Sequence, residues 1–226
     1  MSDNVPDRIE RIRISRDMYV QYIRSNFENF RWQYIIVADL DGMNAKITSI
    51  GVESSLSLLS KFDGVFANQK NGYYDLYALR SKGWVEGDPV IELYSRLSRL
   101  KSQKNTRYFA KTVLKVKEFK ERTNLIYDRM KIIDKNQQPI NVLSAFGGLG
   151  VYKSEVFLNC DYSRINEHVR QSEHVDLHVK GDNYGYKFAI NPAMINSNWN
   201  THNINRLFFV RVIRSFRAFR YIRMKF

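Results

Sequence analysis

A single cysteine, Cys160, among 226 residues excludes an internal disulfide and any zinc site built on cysteines. So little cysteine points to a reducing compartment. No apolar run reaches the length of a transmembrane helix, and the opening MSDNVPDRIER is too polar for a signal peptide. The expectation is a cytoplasmic protein. The chain has no internal repeat, no low-complexity linker, no nucleophile elbow and no Ser-His-Asp arrangement. The segment AFGGLGVYK places three glycines within four residues. It lacks the strand-to-helix context of a dinucleotide site and the Lys-Ser/Thr of a phosphate loop. Gly147, Gly148 and Gly150 therefore read as a tight turn or a close approach of a ligand to backbone.

Positive charge and aromatic rings are plentiful. The formal net charge is +13 and the sequence pI about 9.8, with 14 Tyr and 14 Phe. Such a balance suits an acidic partner: nucleic acid, an anionic lipid surface or a phosphorylated ligand. No nucleic-acid-binding motif accompanies it, which disfavours the first. Part of the charge gathers in RLFFVRVIRSFRAFRYIRMKF, where Arg211, Arg214, Arg217, Arg220 and Arg223 recur every third residue. A period of three winds round an α-helix by roughly 60° per step. Residues 206–226 thus read as a basic amphipathic helix with apolar residues winding beside the arginines, suited to peripheral contact with a membrane surface. The other reading is a solvated terminal helix.

Helix and strand signals alternate along the rest. Residues 8–30 carry Ile9, Ile12, Tyr19, Ile23, Phe27 and Phe30 at helical spacing, with Asp7 as a cap. A strand over 33–39 follows, then a short helix from about Ser54. Val65–Ala67 and Tyr73–Leu79 flank Asn71-Gly72, the signature of a hairpin. Helices are expected over 90–101 and 109–120, strand–loop–strand over 141–153, and a late strand in YKFAINPAMIN. This pattern implies a layered α/β domain with a mixed sheet flanked by helices. Ligands in such folds sit beyond the carboxyl ends of strands.

Asp39 and Asp41 lie at such an end. The run YIIVADLDG begins as a core strand and stops in two carboxylates and a glycine, although ionised Asp does not belong in a core. Two carboxylates one residue apart suit Mn²⁺ or Mg²⁺, which take oxygen ligands and keep positions open for substrate phosphates. A turn capped by Asp41-Gly42 explains them equally well. The segment EHVDLH gathers Glu173, His174, Asp176 and His178, half of the four histidines. On a helix, His174 and His178 share a face; extended, His174, Asp176 and His178 do. Glu precedes the first His instead of following it, which speaks against zinc-protease chemistry. In the extended case His178 is a candidate third cation ligand, and a nearby carboxylate a candidate general base. A polar surface loop is the remaining alternative.

In order, RIERIRISRD, YIIVADLDG, FDGVFANQKNGYYDLYALR, AFGGLGVYKSEVF and SEHVDLH resemble glycosyltransferases of the GT-A fold. The nearest likeness is to capsule-associated mannosyltransferase-like proteins and sugar transferases of large DNA viruses. The resemblance spans most of residues 8–192. It implies a metal-dependent transferase that takes a UDP- or GDP-sugar donor and a glycan acceptor. Asp39 and Asp41 would hold Mn²⁺ or Mg²⁺ against the donor diphosphate, with His178 as third ligand. Arg8 and Arg16 would face the nucleotide sugar, and Gly147 and Gly148 would lie near the transferred sugar. Glu173 and Asp176 are the candidate bases. Asp17 stands where the family commonly has Asn. Family members also carry further strands before the RIERI segment, so residues 1–205 are expected to form a GT-A-like domain short of its first strands. A non-catalytic, degenerate module that binds glycans through the same cleft is the alternative.

Overall fold

The computed structural model describes residues 8–102, 108–166, 169 and 171–207. It contains α1 (Arg8–Phe30), β1 (Tyr34–Ala38), α2 (Ser49–Leu58), β2 (Gly64–Gln69), α3 (Pro89–Ser102) and α4 (Tyr108–Leu125). These are followed by β3 (Ile140–Val142), β4 (Leu149–Lys153), α5 (Ser154–Asn159), α6 (Glu173–Asn183) and β5 (Phe188–Ser197). The expected cap Asp7 and the tail beyond Leu207 lie outside the described residues. No helix among the described residues is long and apolar enough to cross a membrane.

The five strands form one mixed sheet in the order β1-β4-β2-β5-β3. β4 runs antiparallel to both β1 and β2, and β2 runs parallel to β5. Consequently β1, β2 and β5 point the same way and end at one edge of the sheet, where the loop leading into β4 also lies. Alternation along the strands sends side chains to opposite faces. Val65, Ala67, Leu149, Val151 and Met194 pack with Leu59 on one face, against α2. On the other, Phe66, Tyr152, Phe188 and Ile190 join Val20 and Ile23 of α1, Val156 and Phe157 of α5, and Leu177 of α6. α3 and α4 pack on each other around Leu93, Leu97 and Leu125.

Two glycines fit this packing. A Cβ at Gly64 would stand 2.8 Å from the Phe188 ring, and one at Gly181 2.7 Å from it. A proline shapes β5. Pro192 has no N–H to give the ladder, and the β2–β5 register shifts between Phe66 and Asn68. The Asn68 side-chain amide caps the irregularity by donating to the carbonyls of Pro192 (3.0 Å) and Ile133 (3.2 Å).

Two expectations need correction. Residues 73–79 form turns and not the second arm of a hairpin; the segment is buried irregular chain, its Tyr73 N–H donating to Lys131 O (2.8 Å). β1 is an edge strand and not a core strand: Val37 alone is buried, and Ile36 is 52% exposed. Of the readings open for EHVDLH the helical one holds, so the extended arrangement of His174, Asp176 and His178 does not form.

Candidate functional site

The loops at the carboxyl edge of the sheet are fastened to each other by amides. Asn44 donates from one side-chain nitrogen to the carbonyls of Asp39 (2.8 Å) and Gly148 (2.9 Å). Asn196, buried near the end of β5, donates to Asn44 Oδ1 and to Gly147 O, both at 2.8 Å. Gln69, the last residue of β2, donates to Gly147 O and Asn196 Oδ1, both at 3.0 Å. The network ties the Asp39–Asp41 loop to the Gly147-Gly148 loop and fastens both to the ends of β2 and β5. Gly147 and Gly148 adopt φ of +67° and +87°. A Cβ at Gly147 would stand 2.8 Å from the Gln69 amide nitrogen and 2.9 Å from Ala67 O. Both position and conformation therefore require glycine there.

In front of this network lies a cleft of about 610 Å³. Its lining includes Arg8, Ile12 and Arg16 from α1, Asp39 to Asp41 beyond β1, and Tyr74 to Tyr77 beyond β2. Phe146, the Ser172–His174 turn that opens α6, and His202 complete it. Arg8, Arg16, Asp39, Asp41 and Glu173, expected from sequence as site residues, thus converge. Gly147 and Gly148 sit behind the lining and shape its loops.

Arg16 holds the centre. Its Nη2 donates to Asp39 Oδ1 and its Nε to Glu173 Oε1, both at 2.9 Å. The guanidinium lies 5.1 Å from the Phe146 ring centroid and 5.7 Å from that of Tyr162. Burial works against the Arg16 charge, but Tyr162, Glu173, Tyr19 and Asp39 outweigh it and raise its pKa. Asp39 is held above the ordinary carboxylate range by burial, opposed by Arg16 and reinforced by Asp41. Burial also raises Glu173, again against Arg16. Asp41 is exposed and accepts the Met43 N–H (3.2 Å), while Gly42 takes φ +87°, so the turn expected of Asp41-Gly42 is present.

Two expected site residues lie elsewhere. His178 is fully buried, its Nδ1 hydrogen-bonded to the Ser144 hydroxyl (2.9 Å) and its Nε2 to the Tyr152 hydroxyl (3.0 Å). Burial lowers its pKa to about 3. Both nitrogens are engaged in the core, so His178 does not serve as a third cation ligand. Among the described residues no group of three or more His, Cys, Asp or Glu stands ready to hold a metal. Asp176 accepts from the Gln171 side chain (2.8 Å) and the Ile165 N–H (3.3 Å), which makes it an anchor for the loop before α6.

The fold also adds residues that sequence reasoning missed. Asp75 lines the cleft, its Oδ2 accepting from Gly147 N–H (3.0 Å) and its Oδ1 from Ala78 N–H (3.2 Å). Burial raises its pKa, opposed by those two bonds. A lone Asp in NGYYDLYALR has no neighbouring signal; only the topology brings it beside Asp39. His174 stacks on Phe146, with ring centroids 3.7 Å apart, and neither of its ring nitrogens has a hydrogen-bond partner. Burial pushes its pKa well below the usual value, helped by Arg16 and His178.

No family model, curated protein or solved structure matches the chain.

Proposed function

We propose that the chain is a GT-A-type glycosyltransferase that takes a nucleotide-diphosphate sugar with Mn²⁺ or Mg²⁺ and passes the sugar to a glycan acceptor. The observation that carries the reading is the convergence of Asp39, Asp41, Arg8, Arg16 and Glu173 on one cleft at the carboxyl ends of parallel strands. The donor set suits a hard cation. Asp41 is exposed, Asp39 has only one oxygen engaged by Arg16, and such ions are commonly held by one or two carboxylates plus substrate phosphates. A cation held there supplies positive charge to the departing nucleoside diphosphate. Arg8 and Arg16 bring guanidinium groups for the same anion.

Transfer with inversion needs a base at the acceptor hydroxyl. Glu173 is the candidate at the cleft, because burial raises its affinity for a proton while Arg16 orients it. Asp176, turned to its loop, is the positioning partner. Calorimetry with UDP- and GDP-sugars tests the reading: heat of binding should appear with Mn²⁺ and vanish with chelator. No binding of either donor in either condition would overturn it.

A second reading, a non-catalytic glycan-binding module, is favoured by one observation: Arg16 ties up Asp39 and no third protein ligand joins the aspartates among the described residues. Donor binding without turnover on any offered acceptor would select it.

A further inference from the structure

The cleft counts four carboxylates in its lining, Asp39, Asp41, Asp75 and Glu173, against two guanidiniums, Arg8 and Arg16. Its formal charge of −2 would repel a diphosphate and is the charge one divalent cation neutralises. Arg16 is the cation already in place. Its fork is divided between two carboxylates from distant parts of the chain, Asp39 beyond β1 and Glu173 at the start of α6. The rings of Phe146 and Tyr162 support the guanidinium without directional bonds, so it has a surface on which to shift.

From this geometry we infer that Arg16 is a resident counter-cation that competes with the divalent ion for Asp39 and couples metal binding to diphosphate binding. This deepens the metal-and-diphosphate reading above and rests on it. Arg16 bridges Asp39 and Glu173. Asp39 and Asp41 would hold a divalent ion in place of the Arg16–Asp39 contact, and the guanidinium, released from Asp39, would be available to the diphosphate. The two ligands thus bind with positive cooperativity, each favouring the same position of Arg16.

Titration of the full chain with Mn²⁺ alone, followed by electron paramagnetic resonance, tests the inference without any need for turnover. Arg16→Met should bind Mn²⁺ about tenfold more tightly than wild type, because a positive charge a few ångströms from the ion is removed. The same variant, saturated with Mn²⁺, should bind UDP and GDP about tenfold more weakly. Arg16→Lys keeps the charge but reaches only one carboxylate, and its Mn²⁺ affinity should fall between the two; it decides the matter should Arg16→Met fail to fold. Equal Mn²⁺ affinity in wild type and the folded variants, or loss of metal and nucleotide binding together, would overturn the coupling while leaving the glycosyltransferase reading intact. Absence of Mn²⁺ binding in every form, Arg16→Met included, would remove that reading and this one with it.

Discussion

His174 and His178 stand four residues apart on α6, with ring centroids 5.9 Å apart and planes inclined by only 22°. Both are buried, and both are driven neutral by burial. One has both nitrogens bonded to core hydroxyls; the other has neither bonded. The difference follows the helix from its interior to its first turn, where Ser172, Glu173 and His174 line the cleft. His178, deep under the sheet, has both ring nitrogens satisfied, as stability demands. At the cleft His174 is left without a hydrogen-bond partner, and Asp39 and Glu173 share one, Arg16. Satisfied core and cleft lining thus divide along a single helix of eleven residues.

Substitutions at the cleft should have the largest effects. Asp39→Ala or Asp41→Ala should abolish Mn²⁺-dependent donor binding in calorimetry while the protein stays folded; undiminished metal-dependent binding would remove both residues from the site. Next, Glu173→Gln should lower turnover by about 100-fold or more with donor affinity nearly unchanged, as expected of a base. Asp176→Asn should instead lower stability by about 1 kcal/mol through its loop bonds. Equal, modest losses of turnover in both would deny either the role of base.

At the core end, His178→Leu should destabilise by about 2–4 kcal/mol in denaturant titration, since it strands the buried hydroxyls of Ser144 and Tyr152. A pH series sharpens the point. His178 is lowered to about 3 in the folded state from an ordinary value near 6.5 when unfolded, so the unfolded chain binds the proton first. Its contribution to stability is whole above about pH 6.5 and falls as pH drops toward 3. Between pH 7 and 5 the wild type should therefore lose about 2 kcal/mol relative to His178→Leu. The raised carboxylates Asp39, Asp75 and Glu173 act oppositely, gaining protons in the folded state first and easing their mutual burial on acidification. The smallest effect belongs to His174→Leu, which should change stability by less than about 1 kcal/mol because no bond is lost. A loss as large as that of His178→Leu would erase the contrast.

Much of this arrangement was legible before the fold. α1, α3 and α4 are long and periodic, and the two aspartates announce a strand end by interrupting an apolar run. What failed was whatever depended on the partner of a segment. Asn71-Gly72 is a good turn, but a hairpin needs its second arm to pair, and residues 73–79 instead bury Tyr73, Leu76, Ala78 and Leu79 as irregular chain. Ile35 and Ile36 looked like core because apolar residues do not reveal whether a strand is central or at an edge. Asp75, Asn44, Asn196 and Gln69 were invisible for the same reason: each is ordinary in its own stretch and meaningful only where strand ends meet. The short α5 offered too few residues for a period to show.

That failed hairpin has a consequence for how the molecule assembles. Among the described residues none of the four strand pairings joins neighbours in the sequence: β1 pairs with β4, β2 with β4 and β5, and β3 with β5. The sheet has no local seed, and each pairing closes a long loop before any ladder bond is made. Gly64 must wait for Phe188. On the ribosome, a chain that has not yet released β5 presents Val65, Phe66 and Ala67, wholly buried in the finished protein, with one side of their ladder unpaired. Helices such as α1 form early because their bonds are local, whereas the cleft, which sets α1 and the start of α6 against the ends of β1 and β2, is completed among the last features of the fold.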